Sequence, residues 1–419
     1  MKSFSLGKLA LATLCSSVML TACEDQTALV KKAETHSVMT VEQHAEKIAK
    51  ETIIIDTHID VPYRLEHEYE DVSKATAQGD FDYPRAIKGG LDAPFMSIYI
   101  PSKLQNTGGS KKLADKLIDD VEAIVKQSPD KFALAYTTTQ VKENFAKGLI
   151  SLPMGMENGS PIEGDLANLK HFYERGIRYI TLAHAKTNHI SDSSYDENRP
   201  AQGLTEFGKQ LITEMNNIGV MVDISHVSDQ AFYQVMEISK VPVIASHSSA
   251  RFFTPDFERN MSDDMIKLLA KNGGVIQMTF SGVFTSQKFR EQSAVYKPLK
   301  AAFIKANNLD EELEADKIKI DAFEAAYELE NPYDNGSLDQ VLDHFEHVIN
   351  LVGIDYVGIG SDFDGVSGIL PKALKDVASY PNLIKGLLKR GYSEQDIKKL
   401  LSGNLMRVWQ QVEEYAAKQ

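Results

Sequence analysis

Cysteine is almost absent: the chain of 419 residues has two, Cys15 and Cys23, both near its start. A disulfide framework is excluded for the body of the chain, and a metal ion held there must be bound by histidine and carboxylate, not thiolate. Positive charge is also in short supply, with 45 Lys and Arg against 59 Asp and Glu and a formal net charge of −14. Such a surface has no electrostatic reason to hold nucleic acid or anionic lipid, and it tolerates small zwitterions. The apolar stretch Leu9–Leu20 is shorter than the ~20 residues a membrane-crossing helix needs. There is no internal repeat, no low-complexity tract and no Gly-rich phosphate loop after the first predicted strand.

What is present begins with a leader. Lys2 and Lys8 precede the apolar stretch, which ends Leu20-Thr21-Ala22-Cys23. This has the form of a cleaved secretory signal. Its last four residues resemble the lipobox of bacterial lipoproteins, in which the cysteine becomes the lipidated first residue. Residues 1–22 are therefore expected to be a signal peptide, Cys23 the lipidation site, 23–45 a polar tether and 46–419 one barrel domain. The protein is expected in the cell envelope, outside the cytoplasm on the periplasmic side of the inner or outer membrane. Its only membrane contact would be the lipid.

With 43% hydrophobic and 25% charged residues, the rest has ample material for a large core. Short apolar runs alternate with helix-like stretches, the pattern of βαβ units. The runs are Thr52–Ile55, Pro94–Ile100, Ile150–Met156, Tyr179–Ala183, Val220–Ile224, Val241–Ala245, Gly274–Phe280 and Tyr356–Gly360. Gly176, Gly219 and Gly273 stand where intervening helices should stop. Eight strands are the number of a (β/α)8 TIM barrel, an α/β fold; an open doubly wound sheet does not need eight. Residues 283 to about 335 form a charged insertion of helical pattern between strands seven and eight.

Active sites of such barrels gather at the C-terminal ends of the strands. Here strand after strand ends in a candidate ligand: Asp56-Thr57-His58-Ile59-Asp60, Gly155-Met156-Glu157-Asn158, Leu182-Ala183-His184, Asp223-Ile224-Ser225-His226, Ala245-Ser246-His247-Ser248 and Gly360-Ser361-Asp362-Phe363-Asp364. On an extended strand, His58 and Asp60 point to the same side. One histidine at a strand end is more often a hydrogen-bonded core residue. Six such ends in one barrel are another matter, because buried polar groups must be satisfied and metal ions satisfy them together.

These segments resemble the renal (membrane) dipeptidase family of zinc peptidases, including its bacterial lipoprotein members. The likeness runs from about Ile48 to about Val412 and includes Arg259-Asn260, Gly358–Val366 and Asn404–Val408. It implies a metal-dependent hydrolase barrel with two Zn2+ ions, one held by His58 and Asp60, the other by His226 and His247, with Glu157 bridging. It further implies His184 beside the developing oxyanion, Arg259 on the substrate's terminal carboxylate and Asp362 as the acid–base residue. Two ions about 3.5–4 Å apart acidify a water between them. The implied substrates are dipeptides, with a D-residue accepted at the C-terminal position, and the implied assembly is a homodimer. Thr57 and Ile59 depart from the family's usual Gly and Asn, which leaves the ligand spacing intact. The rivals are another amidohydrolase of this barrel, acting on a lactone or cyclic amide, and a non-catalytic peptide-binding lipoprotein.

Overall fold

The computed structural model describes residues 39–309 and 313–419. The expected signal peptide, Cys23 and most of the tether lie outside the described residues. Eight parallel strands follow one another around a barrel in chain order: β1 (Ile54–Ile59), β2 (Leu91–Tyr99), β3 (Met154–Glu157), β4 (Ile177–Thr181), β5 (Met221–Asp223), β6 (Ile244–Ser248), β7 (Val275–Met278) and β8 (Val357–Ile359). The ring closes at its mouth. Ile59 bridges Phe363 just past β8, Asp60 N–H donates to Phe363 O (2.9 Å) and Asp362 N–H to His58 O (3.2 Å).

Alternation of side chains sends Ile55, Phe95, Tyr179, Met221, Ile244 and Val275 to the interior. The C-terminal helix Asn404–Ala416 closes the floor by adding Leu405, Val408, Trp409 and Val412 to that cluster. Each such burial contributes about 1.5–3 kcal/mol. The outer helices start at hydroxyl caps, for example Thr205, Ser228, Ser262 and Ser337, each accepting an N–H of its helix. Two of them end in Gly219 and Gly273, at φ 89° and 85°, a left-handed stop that suits glycine.

Some boundaries differ from the sequence reading. The run Ile150–Met156 is divided by Pro153, which has no N–H to give a ladder. Ile150–Leu152 instead pairs with Phe132–Leu134 outside the barrel, while Met154–Glu157 becomes β3. The first strand runs through the ligand motif to Ile59 instead of stopping at Ile55. A helix, Val41–Glu51, begins inside the stretch read as tether, under a Thr40–Gln43 capping box, and buries Ala45. The insertion carries two helices, Gln287–Asn307 and Glu314–Glu330. Among the described residues, no helix is long and apolar enough to cross a membrane.

Candidate metal centre

The C-terminal strand ends converge. His58 and His247 lie within β1 and β6, and Glu157 ends β3; Asp60, His184, His226 and Asp362 follow in turns beyond β1, β4, β5 and β8. His58 Nε2 is 3.4 Å from Asp60 Oδ2 and 3.5 Å from Glu157 Oε2. The other oxygen of Glu157, Oε1, is 3.2 Å from His226 Nε2, 3.3 Å from His247 Nε2 and 3.5 Å from His184 Nε2. Glu157 therefore turns one oxygen to each half of the cluster.

Strand pleat is not what joins His58 to Asp60. Asp60 lies past the strand (φ −89°, ψ 31°) and opens the helix Val61–His67, so a turn brings its carboxylate back. Space for it depends on Gly365: a Cβ there would collide with Oδ2 of Asp60 and Oδ1 of Asp362. His226 and Asp362 hold left-handed backbone, φ 66° and 68°, a strain of about 1–3 kcal/mol each for non-glycine residues.

Hydrogen bonding fixes which imidazole nitrogens are bare. Tyr179 donates its hydroxyl proton to Thr57 O (2.9 Å), so it accepts from His58 Nδ1 (2.8 Å) and leaves His58 Nε2 a lone pair. Ser246 donates to Asp223 Oδ2 (2.6 Å) and accepts from His247 Nδ1 (2.8 Å), which bares His247 Nε2. That nitrogen faces His226 Nε2 at 2.8 Å, an approach that needs a proton or cation between two nitrogens. His58 Nε2 and Asp60 Oδ1 are buried with no hydrogen-bond partner among the described residues. Such orphaned groups cost about 1–3 kcal/mol each. Three overlapping triplets, His58–Glu157–His247, Glu157–His184–His226 and His58–Asp60–Asp362, bring ligand atoms within 4.8 Å of one another. The donor set of imidazole and carboxylate fits divalent cations.

Charge distribution follows from the same packing. Burial, reinforced by Arg259 and neighbouring histidines, holds His226 and His247 well below the usual imidazole range. Burial also acts on His58, but Tyr179, Asp60 and Glu157 outweigh it and keep that ring well above its ordinary value, so Nε2 holds a proton wherever no cation takes its lone pair. Burial, with Asp60 and Glu157 beside it, pushes the Asp362 carboxyl up to about 7 against the pull of His58 and Arg259.

The cluster floors a cavity of 510 Å³ walled by Tyr63, Tyr99, Tyr195, Phe284 and Val366. Larger hollows of 660 and 680 Å³ lie elsewhere, so convergence of ligands and not size marks this one. Arg259 is buried beside it. Its Nη2 donates to His247 O (2.6 Å), its guanidinium lies 5.1 Å from the Phe284 ring, and its Nε has no partner among the described residues. Asp364, two residues beyond Asp362, is instead tied to Arg64 (3.1 Å) and to Asp80 N–H. His189 packs on Phe207 away from the cluster, His171 and His347 pair with Asp115 and Asp263, and His344 is buried in the core. The sequence reading assigned no role to Tyr179, Asp223 or Ser246. The last two stand in the strand-end runs beside His226 and His247, which is a signal; Tyr179 has none.

Residues 42–419 match the family described as Membrane dipeptidase (Peptidase family M19). Dipeptidase 3 of Mus musculus is 32% identical over 375 residues, which are 87% of this chain. The match spans 65% of the mouse protein's length. The crystal structure of the probable dipeptidase PvdM from Pseudomonas aeruginosa superposes with a TM-score of 0.78 at 27% identity, over 90% of this chain and 99% of that one. A metallo peptidase from Rhodobacter sphaeroides, solved with a phosphinate mimic of L-Ala-D-Ala, matches 86% of this chain and 100% of that chain at TM-score 0.70 and 23% identity, a likeness of fold.

Proposed function

The chain belongs to the membrane dipeptidase family, peptidase family M19, and from that premise we propose that it is a metal-dependent dipeptidase with a two-ion centre. The observation that carries the reading is Glu157, with one oxygen toward His58, itself beside Asp60, and the other toward His226 and His247. His58 and Asp60 would hold one ion and His226 and His247 the other, with Glu157 shared; zinc suits these donors. When bound, such ions polarise a carbonyl and make water more acidic.

The chain's own groups supply the rest. Asp362 takes the proton of the attacking water and returns it to the departing amine. Its carboxyl, already pushed up to about 7 by burial, is close to both protonation states near neutrality, and added cationic charge would favour the ionised, accepting form. His184, kept neutral by burial, donates to the oxyanion developing on the scissile carbonyl. Arg259 pairs with the free C-terminal carboxylate, and its unpartnered Nε is a donor available for that contact. A longer peptide would not bring its carboxylate there. In the same reading a D-residue is accepted at the C-terminal position, Cys23 carries a lipid that holds the domain in the cell envelope outside the cytoplasm, and the assembly is a homodimer.

The test is hydrolysis of a mixed L,L and L,D dipeptide library before and after chelation, with elemental analysis of the purified protein. Chelator-sensitive cleavage and two ions per chain are expected. One tight ion at saturation rejects the two-ion centre, and absence of chelator-sensitive cleavage rejects the dipeptidase. Cys23→Ser should free the protein from the membrane fraction; wild-type protein already found free would end the anchor.

A further inference from the structure

The mouth has a second compartment. Tyr195 and Val283 wall both the central cavity and an adjoining hollow of 250 Å³. The far wall of that hollow is the first insertion helix, Gln287–Asn307, through Phe289, Arg290, Ser293 and Lys297. In a chain of net charge −14 the hollow is positive: two cations line it, and no carboxylate does among the described residues.

Arg290 is the informative residue. It is half-buried, its guanidinium stands 3.5 Å from the centre of the Phe257 ring, and its side chain makes no hydrogen bond or ion pair among the described residues. Of the other partly buried arginines, Arg64, Arg175, Arg199, Arg251 and Arg390 pair with carboxylates, and Arg407 donates to the carbonyls of Gly273 and Asp355. A guanidinium taken partly out of water without a counterion is costly, and its fork of donors is open to an incoming carboxylate. An aromatic stack leads from it to the metal centre. Phe257 lies nearly parallel to Phe284 (6.2 Å, 13°), and Phe284 lies beneath Arg259 at 5.1 Å.

Resting on the dipeptidase reading, in which Arg259 takes the terminal carboxylate, we infer that this hollow receives the side chain of the C-terminal residue and selects acidic ones, so that dipeptides ending in aspartate or glutamate are preferred. The side chain leaves the same residue whose carboxylate is at Arg259, and Phe257 of the hollow stacks on Phe284, the ring that lies against Arg259. Its carboxylate pairs with Arg290, with the Ser293 hydroxyl and the Lys297 ammonium nearby.

The experiment compares L-Ala-L-Glu with L-Ala-L-Gln, nearly the same shape without the charge, on the purified full-length protein with its metal. Wild type should favour the glutamate substrate by about tenfold or more in kcat/KM, mostly through KM, as a charge-assisted pair implies. Arg290→Gln should bring the ratio to about one, Arg290→Lys should keep most of it, and Arg290→Glu should turn the preference toward L-Ala-L-Lys. Lys305→Gln, exposed farther along the same helix, should leave the ratio as it is. Calorimetric binding of both dipeptides to metal-free protein should follow the same order. A wild-type ratio near one, or a ratio that Arg290→Gln does not move, overturns the subsite. If no dipeptide is hydrolysed but L-Ala-L-Glu still binds more tightly through Arg290, the dipeptidase reading fails and the anionic subsite stands.

Discussion

The barrel mouth and the insertion are built in opposite ways. At the mouth, His58, Glu157 and His247 are set by strands hydrogen-bonded on both sides, and each is 4% exposed or less. Among the described residues, the insertion helices bury few side chains, Phe289 and Tyr296 on the first and Ile320 on the second, and leave Leu329 88% exposed. It holds together by ring contacts, such as Phe303 on Phe323 (4.2 Å, 7°) and Tyr296 on Tyr327 (4.9 Å). Groups that must meet on common ions need the strand ladder. A wall that only touches a substrate side chain needs no such rigidity, so it can be altered without disturbing the core.

Breaking the mouth should have the largest effect. Chelation should abolish hydrolysis and lower the melting temperature, because the buried His58 Nε2 and Asp60 Oδ1, and separately the facing Nε2 atoms of His226 and His247, lose the cations that would satisfy them. An unchanged melting curve after verified metal loss would mean that the ions do not stabilise this fold. Next, Asp362→Asn should keep the metal and reduce kcat by about 10²–10⁴, while Asp364→Asn, which disturbs a loop contact with Arg64, should cost less. Loss of metal from Asp362→Asn, or nearly full turnover, would reassign the proton carrier.

A smaller effect tests the junction between the two regions. His344 accepts from Ala250 N–H (3.1 Å), beyond β6, and reaches Thr285 O (3.4 Å), just before the insertion helices. Burial drives its pKa down to about 4, against about 6.5 in the unfolded chain. The unfolded state then binds more protons between these values. The contribution of the neutral ring is whole above pH 6.5 and is lost as pH falls toward 4, on the order of 3 kcal/mol. Urea midpoints at pH 7.5, 5.5 and 4.5 should fall in that order, and His344→Gln should flatten the slope; equal slopes would place the acid sensitivity elsewhere. Smallest of all, Leu329→Ala on the insertion should shift stability by no more than about 0.5 kcal/mol. A larger loss in thermal denaturation would show that the insertion is packed more firmly than its exposure indicates.

The eight apolar runs were legible as strands because interior and helix-facing residues of a parallel barrel are both apolar. Their ends were less so. Pro153 splits one run because a missing N–H matters only once a partner strand is known. β1 extends through Asp56–Ile59 because Thr57, polar in sequence, is buried and donates to Ile359 O (3.0 Å). At the site, the histidines and Glu157 announced themselves by falling at strand ends. Which of Asp362 and Asp364, both lining the cavity, joins the ligand cluster did not follow from a two-residue spacing, since both adopt left-handed turns, at φ 68° and 64°. Tyr179 reads as one more core aromatic until its hydroxyl is seen between His58 and Thr57. The helical period of the insertion was visible, but a period gives a face and not the neighbour it meets, so Arg290 carried no signal.

The seam at which Ile59 meets Phe363 has a consequence for how the protein is made. The segments it joins are 304 residues apart (363 − 59) in a chain of 419, so their meeting is entropically among the hardest to achieve in folding. His58 O and Asp362 N–H are bonded across that seam, so the contact that closes the ring is also the one that sets Asp362 beside the cluster. A chain made only as far as Gly360 contains every histidine of the centre but neither Asp362 nor the residue that closes the ring.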